Sequence, residues 1–467
     1  MIFTDHFFLL YFFPAFLFIY FLISKRVSLS NIVIIIASLL FYASFGLENV
    51  LIFLIPMVID FILGIIIFKA RSKKTKKILL AIGVIGNLGV LAYFKYTYFF
   101  LSTSALLFPN HFTSQIELAK NIIIPVGISF IIFQRISYIV DIYRKKIKPS
   151  FRFLEYATYA TLFPHLISGP IVRYSVLSKQ LKNHFINAEM LFDGFKYFVI
   201  GITLKILIAD RLFVVENLLR QDLTKLSSFE SLSLILFFSL RIYLDFTGYS
   251  LIAIGIAKCM GFNFPHNFDS PYRSTSVTDF WRRWNITLSL WLRDYVYIPL
   301  GGNRKGKIRT NINLFITMFL GGLWHGASWN FVIWGCLHGI YLITERTLKN
   351  AGFSLALPNY VKITSVFILI SFTWLTFLFT SPSEIVTVIK SIGSLTYTIS
   401  DPSIEFAFLW SLPSLFGALL WAFVLRETYI DKIKPKLYSV ILLCLLFLLA
   451  VGYSLVKSSV PFIYFQF

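Results

Sequence analysis

DFWRRWNITLSLWLRDYVYIPLGGNRKGKIRTNINLFITMFLGGLWHGASWNFVIWGCLH, residues Asp279 to His338, sets tryptophan, arginine, asparagine and histidine inside a chain that is otherwise lipid-like. Charged and amide groups are costly at membrane depth and persist there when a cavity or a partner receives them. This stretch is therefore read as the working site. The remainder fixes its setting: of 467 residues, 57% are hydrophobic and only 14% charged, too little polar surface for a soluble fold. Runs of about 20 apolar residues, the length that crosses a hydrocarbon core as helix, recur, and the alternating segments of a β-barrel are missing. The expected fold is all-α, polytopic and membrane-embedded.

The net charge of +21 lies in short loops between apolar spans, not on one aromatic-studded domain, so it speaks for membrane orientation and against nucleic acid. Cys259, Cys336 and Cys444 sit in apolar surroundings without metal or disulfide spacing and read as packing residues. Spans are expected near Phe7 to Ile23, Asn31 to Phe45, Val50 to Phe68, Ile78 to Leu101, Ile122 to Tyr143, Phe195 to Ile208, Leu232 to Met260, Asn311 to Leu323, Val361 to Phe379, Ala407 to Val424 and Val440 to Val456. The first lacks the basic start and cleavage site of a signal peptide and is expected to be retained. The basic groups after the first and third spans, Lys25 and Arg26 and then Arg71 to Lys77, mark cytoplasmic sides and put the N-terminus outside. The sum is about eleven spans with re-entrant pieces, in one domain over residues 1–467 whose motifs fall between 125 and 340.

Several polar groups lie at or near membrane depth. Gln134, Arg135 and Asp141 share one span, and Arg135 and Asp141 are expected to satisfy neighbouring helices. In TYATLFPHLISGPIVRYSVLSKQ, Pro164, Gly169 and Pro170 interrupt an apolar run too short to span, which suits a re-entrant hairpin wrapped in protein. His165 at its tip reads as a hydrogen-bonded structural residue. Arg241 and Asp245, four apart, fall on one helix face and either neutralise each other or line a cavity.

In the central stretch a helix over Asp279 to Tyr295 places Trp281, Trp284, Leu288, Trp291 and Tyr295 on one face and Arg282, Asn285, Ser289 and Arg293 on another. Such a helix serves either as an aromatic belt with arginines reaching for headgroups or as a wall on which Arg282 and Arg293 face an anionic cofactor, because guanidinium forks match phosphate. The next span delivers Gly321, Gly322, Trp324 and His325. The two glycines leave the histidine's face without bulk, for close helix packing or for a substrate that must reach the imidazole. An imidazole kept from water is expected in its neutral form, the one that accepts a proton, so general base is the natural role. His338 reads as structural. No HxxxH pattern or carboxylate accompanies these histidines, so no metal site is expected.

The combination of DFWRRWNITLSLWLRDYVYIPLGGNR with GGLWHGASWNFVIWGCLHG, together with PVGISFIIFQRISYIVDIYR, FPHLISGPIVRY and RIYLDFTGYSLIAIGIAKCMGFNFPHNFDSPYRS, resembles the membrane-bound O-acyltransferase family. The similarity is to its bacterial branch, typified by the membrane subunit of alginate O-acetylation, and runs from about Pro125 to Ile340. The resemblance implies helices around a central substrate tunnel, with Trp284, Gly321, Gly322 and Trp324 at its wall. It makes His325 the catalytic histidine. The family's second polar position falls on Asn285, a histidine in many bacterial relatives, which argues against two imidazoles sharing the proton transfer. Asn285 is instead expected to orient the acyl carbonyl or the acceptor.

The implied reaction is attack of a hydroxyl on a thioester, with His325 taking the proton and the Asn285 amide or an indole N–H meeting the developing oxyanion. Acetyl-CoA is the implied donor, held at Arg282, Ser289 and Arg293, with no resident cofactor. The implied setting is the bacterial inner membrane, the acceptor an exported envelope polysaccharide such as an alginate-like polymer or peptidoglycan, and delivery rests on a separate extracytoplasmic acetyltransferase- or esterase-like protein. Transfer of D-alanine from a carrier protein to teichoic acid is the alternative within the family. A transporter or flippase is the alternative outside it; against it stand the single Trp-His-Gly motif and the lack of duplicated halves.

Overall fold

Where no water is present to satisfy its backbone, a chain spans as helices or as a closed β-barrel. The computed structural model describes residues 1–108, 111–183, 186–353, 356–456 and 460–465, and among these every regular element is a helix. Five helices there are long and apolar enough to cross a membrane: Leu47–Lys69, Lys73–Leu107, Asn359–Leu378, Pro402–Phe423 and Leu437–Val456. Phe8–Ile23 and Val27–Ala43 are shorter apolar helices. The chain is thus an all-helical, multi-pass membrane protein. It divides by internal contacts into one unit of Met1–Phe195 with Ala253–Pro265 and another of Lys196–Ile252 with His266–Phe467.

In the first unit three of the polar groups at depth meet one another between helices. Arg135 Nε lies 2.7 Å from Asp60 Oδ2, and Asn87 Nδ2 donates to Asp60 Oδ1 at 2.9 Å. One buried carboxylate therefore ties together Leu47–Lys69, Lys73–Leu91 and Ile128–Tyr143. The interrupted segment folds as short pieces, a single turn at Phe163–Leu166 and another at Tyr174–Leu177, and residues 162–172 are all buried. His165 is fully buried with Nε2 2.9 Å from the Tyr159 carbonyl, the structural role its position suggested. The span expected from Ile122 starts at Ile128 instead, because Gly127 adopts a left-handed conformation (φ 75°) against the Leu166 carbonyl, a position that a Cβ would occupy.

In the second unit Arg241 and Asp245, whose spacing allowed a mutual pair, do not form it. Arg241 is bound by Glu216, at 2.5 Å and 3.0 Å, and Asp245 by Lys205 at 2.6 Å. Lys205 also lies 2.6 Å from Asp210. A four-residue spacing allows a contact of modest worth, whereas a buried ion gains more from a partner that encloses it.

The hairpin that carries the candidate site, Gly306–His325 followed by Trp329–Asn350, is drawn together by small residues. A Cβ on Gly335 would lie 2.6 Å from the Met318 carbonyl, and one on Gly322 would strike the Phe331 carbonyl. Backbone atoms cannot swing aside as a side chain can. Gly335→Ala is therefore expected to cost about 1–3 kcal/mol by overpacking, seen as a lower unfolding temperature in detergent; an unchanged temperature contradicts so tight a crossing.

Candidate active site

The expected single helix over Asp279 to Tyr295 is broken at its centre. Ser276 caps Val277–Arg283 through the Asp279 amide, Trp284 is extended, and Asn285 is left-handed (φ 39°, ψ 57°) before Ile286–Leu292 begins. Asparagine tolerates that conformation better than most residues. Asn267 performs the capping: its carbonyl accepts from the Ile286 amide at 2.8 Å, and its Oδ1 accepts from the Thr287 hydroxyl at 2.8 Å. The Asn285 side chain is thereby released from capping. It is fully buried, and neither its amide nitrogen nor its amide oxygen has a hydrogen-bond partner among the described residues. Burying an unanswered amide costs about 1–3 kcal/mol on protein-derived scales, which makes Asn285 a candidate for contact with a bound group.

His325 is the last residue of Gly306–His325, and Gly326 turns the chain into extended conformation. The imidazole is 4% exposed. Its walls are aromatic: Trp334 at 4.8 Å between ring centres, Trp324 at 4.9 Å, Phe377 at 5.0 Å, Tyr464 at 5.6 Å. Sequence reasoning missed Trp334, Phe377 and Tyr464. Phe377 and Tyr464 carry no local signal, since they arrive from segments distant in the chain. Trp334 sits in WGCLH and shares a helix with His338, a cue available in the sequence. The Trp284 ring is fully buried at 4.9 Å from Trp374, which stands 5.2 Å from Phe377. An aromatic series thus runs from the Asn285 neighbourhood to His325, although Asn285 makes no hydrogen bond to the imidazole.

Arg282, Ser289 and Arg293 come together on one cavity of about 750 Å³, within the size range of small-molecule sites. Trp281, Arg346 and Lys349 line it too, the last two from the basic stretch Arg346 to Lys349 that marks a cytoplasmic side in the sequence. Four cations thus face one space. Glu345, at the same wall, accepts from the Thr278 amide at 3.0 Å. Of the expected tunnel residues, Gly322 serves the helix crossing, Gly321 faces the Leu292 side chain, and Trp284 and Trp324 are buried among the rings. Trp281 joins the two regions, lying at the cavity wall and 5.6 Å from Trp334. Among the described residues no three His, Cys, Asp or Glu side chains group as metal ligands.

The second unit thus holds a buried imidazole walled by aromatic rings, a buried asparagine amide, and a cavity lined by cations. Residues 15–382 match the model of the membrane-bound O-acyltransferase family. The chain is 39% identical over 355 residues to the probable alginate O-acetylase AlgI of Pseudomonas putida, covering 74% of this chain and 71% of that protein. It is 34% identical over 373 residues to the peptidoglycan O-acetyltransferase of Helicobacter pylori, covering 74% and 70%. Similarity to the teichoic acid D-alanyltransferase of Streptococcus thermophilus is 30% over 232 residues, covering 47% and 56%. A match of that extent, on a helical membrane scaffold, places this chain in the membrane-bound O-acyltransferase family and makes it an O-acyltransferase.

Proposed function

We propose that the chain takes an acetyl group from acetyl-CoA on the cytoplasmic side and passes it towards O-acetylation of an exported envelope polysaccharide, an alginate-like polymer or peptidoglycan. The reading rests chiefly on the Asn285 amide, buried and unanswered in the segment that also brings Arg282, Ser289 and Arg293 to one cavity. The named activities of the Pseudomonas and Helicobacter relatives support the acetyl assignment. In the reaction an acceptor hydroxyl attacks the thioester carbonyl and His325 removes its proton. The carbonyl oxygen, now anionic, is met by the Asn285 amide. Collapse forms the ester, breaks the carbon–sulfur bond and returns the proton to the departing thiolate. Arg282, Ser289 and Arg293 hold the donor's phosphates, while Trp284, Gly321, Gly322 and Trp324 bound the route of the acyl group.

The setting belongs to the same proposal: a bacterial inner membrane, about eleven spans with re-entrant pieces, one acyltransferase domain over 1–467 with its motifs in 125–340, and a separate extracytoplasmic acetyltransferase- or esterase-like protein that completes delivery. D-Alanyl transfer from a carrier protein is the second reading, favoured by the Streptococcus similarity. Tritiated acetyl-CoA and a labelled D-alanyl carrier, offered in turn to membranes carrying the protein, separate the two. Label from acetyl-CoA alone supports the acetyl reading, and label from the carrier alone overturns it. Removing both guanidinium groups with R282A/R293A is expected to raise the donor KM by about tenfold or more, since charged hydrogen bonds are worth about 1.5–3 kcal/mol each. An unchanged donor KM removes the cavity from donor binding.

A further inference from the structure

His338 is fully buried in Trp329–Asn350, and both ring nitrogens are engaged. Trp281 Nε1 donates to Nδ1 at 3.2 Å, and Nε2 lies 3.3 Å from Thr373 Oγ1. An indole nitrogen only donates, so Nδ1 must accept with its lone pair. Thr373 gives its one hydroxyl proton to the Ile370 carbonyl at 2.7 Å, leaving its oxygen to accept from Nε2. Both ends assign the same neutral tautomer, protonated on Nε2. The bonds run in one direction, from the Trp281 indole through His338 and Thr373 to a backbone carbonyl.

That chain reaches both halves of the site. Trp281 is a wall of the cationic cavity. The His338 ring packs 4.5 Å from Trp334, whose ring is 4.8 Å from His325. If filling space were the whole role, a leucine or phenylalanine would serve without a buried polar ring to satisfy. Trp281 is only partly buried and lines the cavity, and its N–H points to His338. The bond to His338 therefore fixes one orientation of the indole at the cavity wall.

We propose that His338 is a positioning residue that locks the Trp281 indole as the partition between the donor cavity and the His325 chamber, and so sets how the acyl end of the donor is presented. This rests on the reading of the cavity as the donor site. H338Q places its amide near the Nε2 position and loses the acceptor for Trp281, whereas H338N places an amide oxygen near Nδ1 and keeps it. W281F removes the donor from the other side, at a partly buried position where folding is less at risk.

The test measures donor KM and kcat for acyl transfer by the full-length protein in liposomes, with ultraviolet resonance Raman difference spectra of the indole N–H. H338Q and W281F are each expected to raise donor KM about tenfold with kcat changed little, and the H338Q/W281F double variant to be no worse than either alone. H338N is expected to recover most of the loss, and the hydrogen-bonded indole signal to vanish in H338Q and return in H338N. Multiplying effects in the double variant overturn the proposal, as does an H338N variant as impaired as H338Q, or a W281F variant with an unchanged donor KM. A failed cavity reading shows separately, as R282A/R293A with an unchanged donor KM, because the Trp281–His338 link is read by the N–H signal and the double variant.

Discussion

Replacing His325 by glutamine is expected to lower acyl transfer by about 10²–10⁴-fold, the usual contribution of a general base, with donor KM within about threefold of the parent because the cationic cavity is built from other residues. Glutamine is the informative choice. The imidazole is enclosed by Trp324, Trp334, Phe377 and Tyr464, and alanine there opens a cavity whose destabilisation resembles lost chemistry. A glutamine fills much of the space, and at neutral pH it does not accept the proton of an alcohol. Comparing H325Q and H325A by initial rate and by melting in detergent separates the effects: both lose activity, and H325A loses more stability. An H325Q variant that retains a tenth or more of the parental rate takes the imidazole out of proton transfer.

Lys205→Met is expected to cost about 3–5 kcal/mol of stability, the range for removing one partner of a buried ion pair. The ammonium group lies 2.6 Å from Asp210 and 2.6 Å from Asp245, and all three residues are buried. Without it two carboxylates face each other away from water. Asp245 also accepts from the Ile463 amide at 2.8 Å, next to Tyr464 in the His325 wall, so local disorder there reaches the chamber. A charge-neutral K205M/D210N/D245N variant is expected to regain much of the loss, because neutral isosteres carry no comparable desolvation penalty. Thermal unfolding of the three proteins in one detergent reads the effect; a K205M melting temperature equal to the parent's contradicts it.

The two residues also show where sequence reasoning reaches and where it stops. Class and topology are set by solvent, and solvent acts on every residue, so composition and apolar run length disclose a helical membrane protein and approximate its spans, as at Leu47–Lys69 and Leu437–Val456. His325 was legible because a histidine between glycines in an apolar run is locally anomalous. Lys205, Phe377 and Tyr464 were not, since their importance comes from partners that only the fold supplies. The same reason explains why Arg241 and Asp245 do not take up the pairing that their spacing allowed, since Glu216 and Lys205 bind them instead.

The break at Asn285 is a different kind of miss. Side-chain periodicity from Asp279 to Tyr295 is that of one amphipathic helix, and periodicity does not report backbone handedness. The break depends on Asn267, which supplies a carbonyl and a side chain to start the next helix. It also leaves the Asn285 amide unused, so the place where the local reading fails is where the candidate chemistry sits.

The most direct test of the central claim follows label from tritiated acetyl-CoA into alkali-labile esters of envelope polysaccharide, in membrane vesicles carrying either the parent protein or H325Q at equal abundance. The account predicts ester label with the parent and about 1% or less of it with H325Q, within the range expected for loss of a general base. Equal labelling by the two proteins, or label that enters only from a D-alanyl carrier, contradicts it.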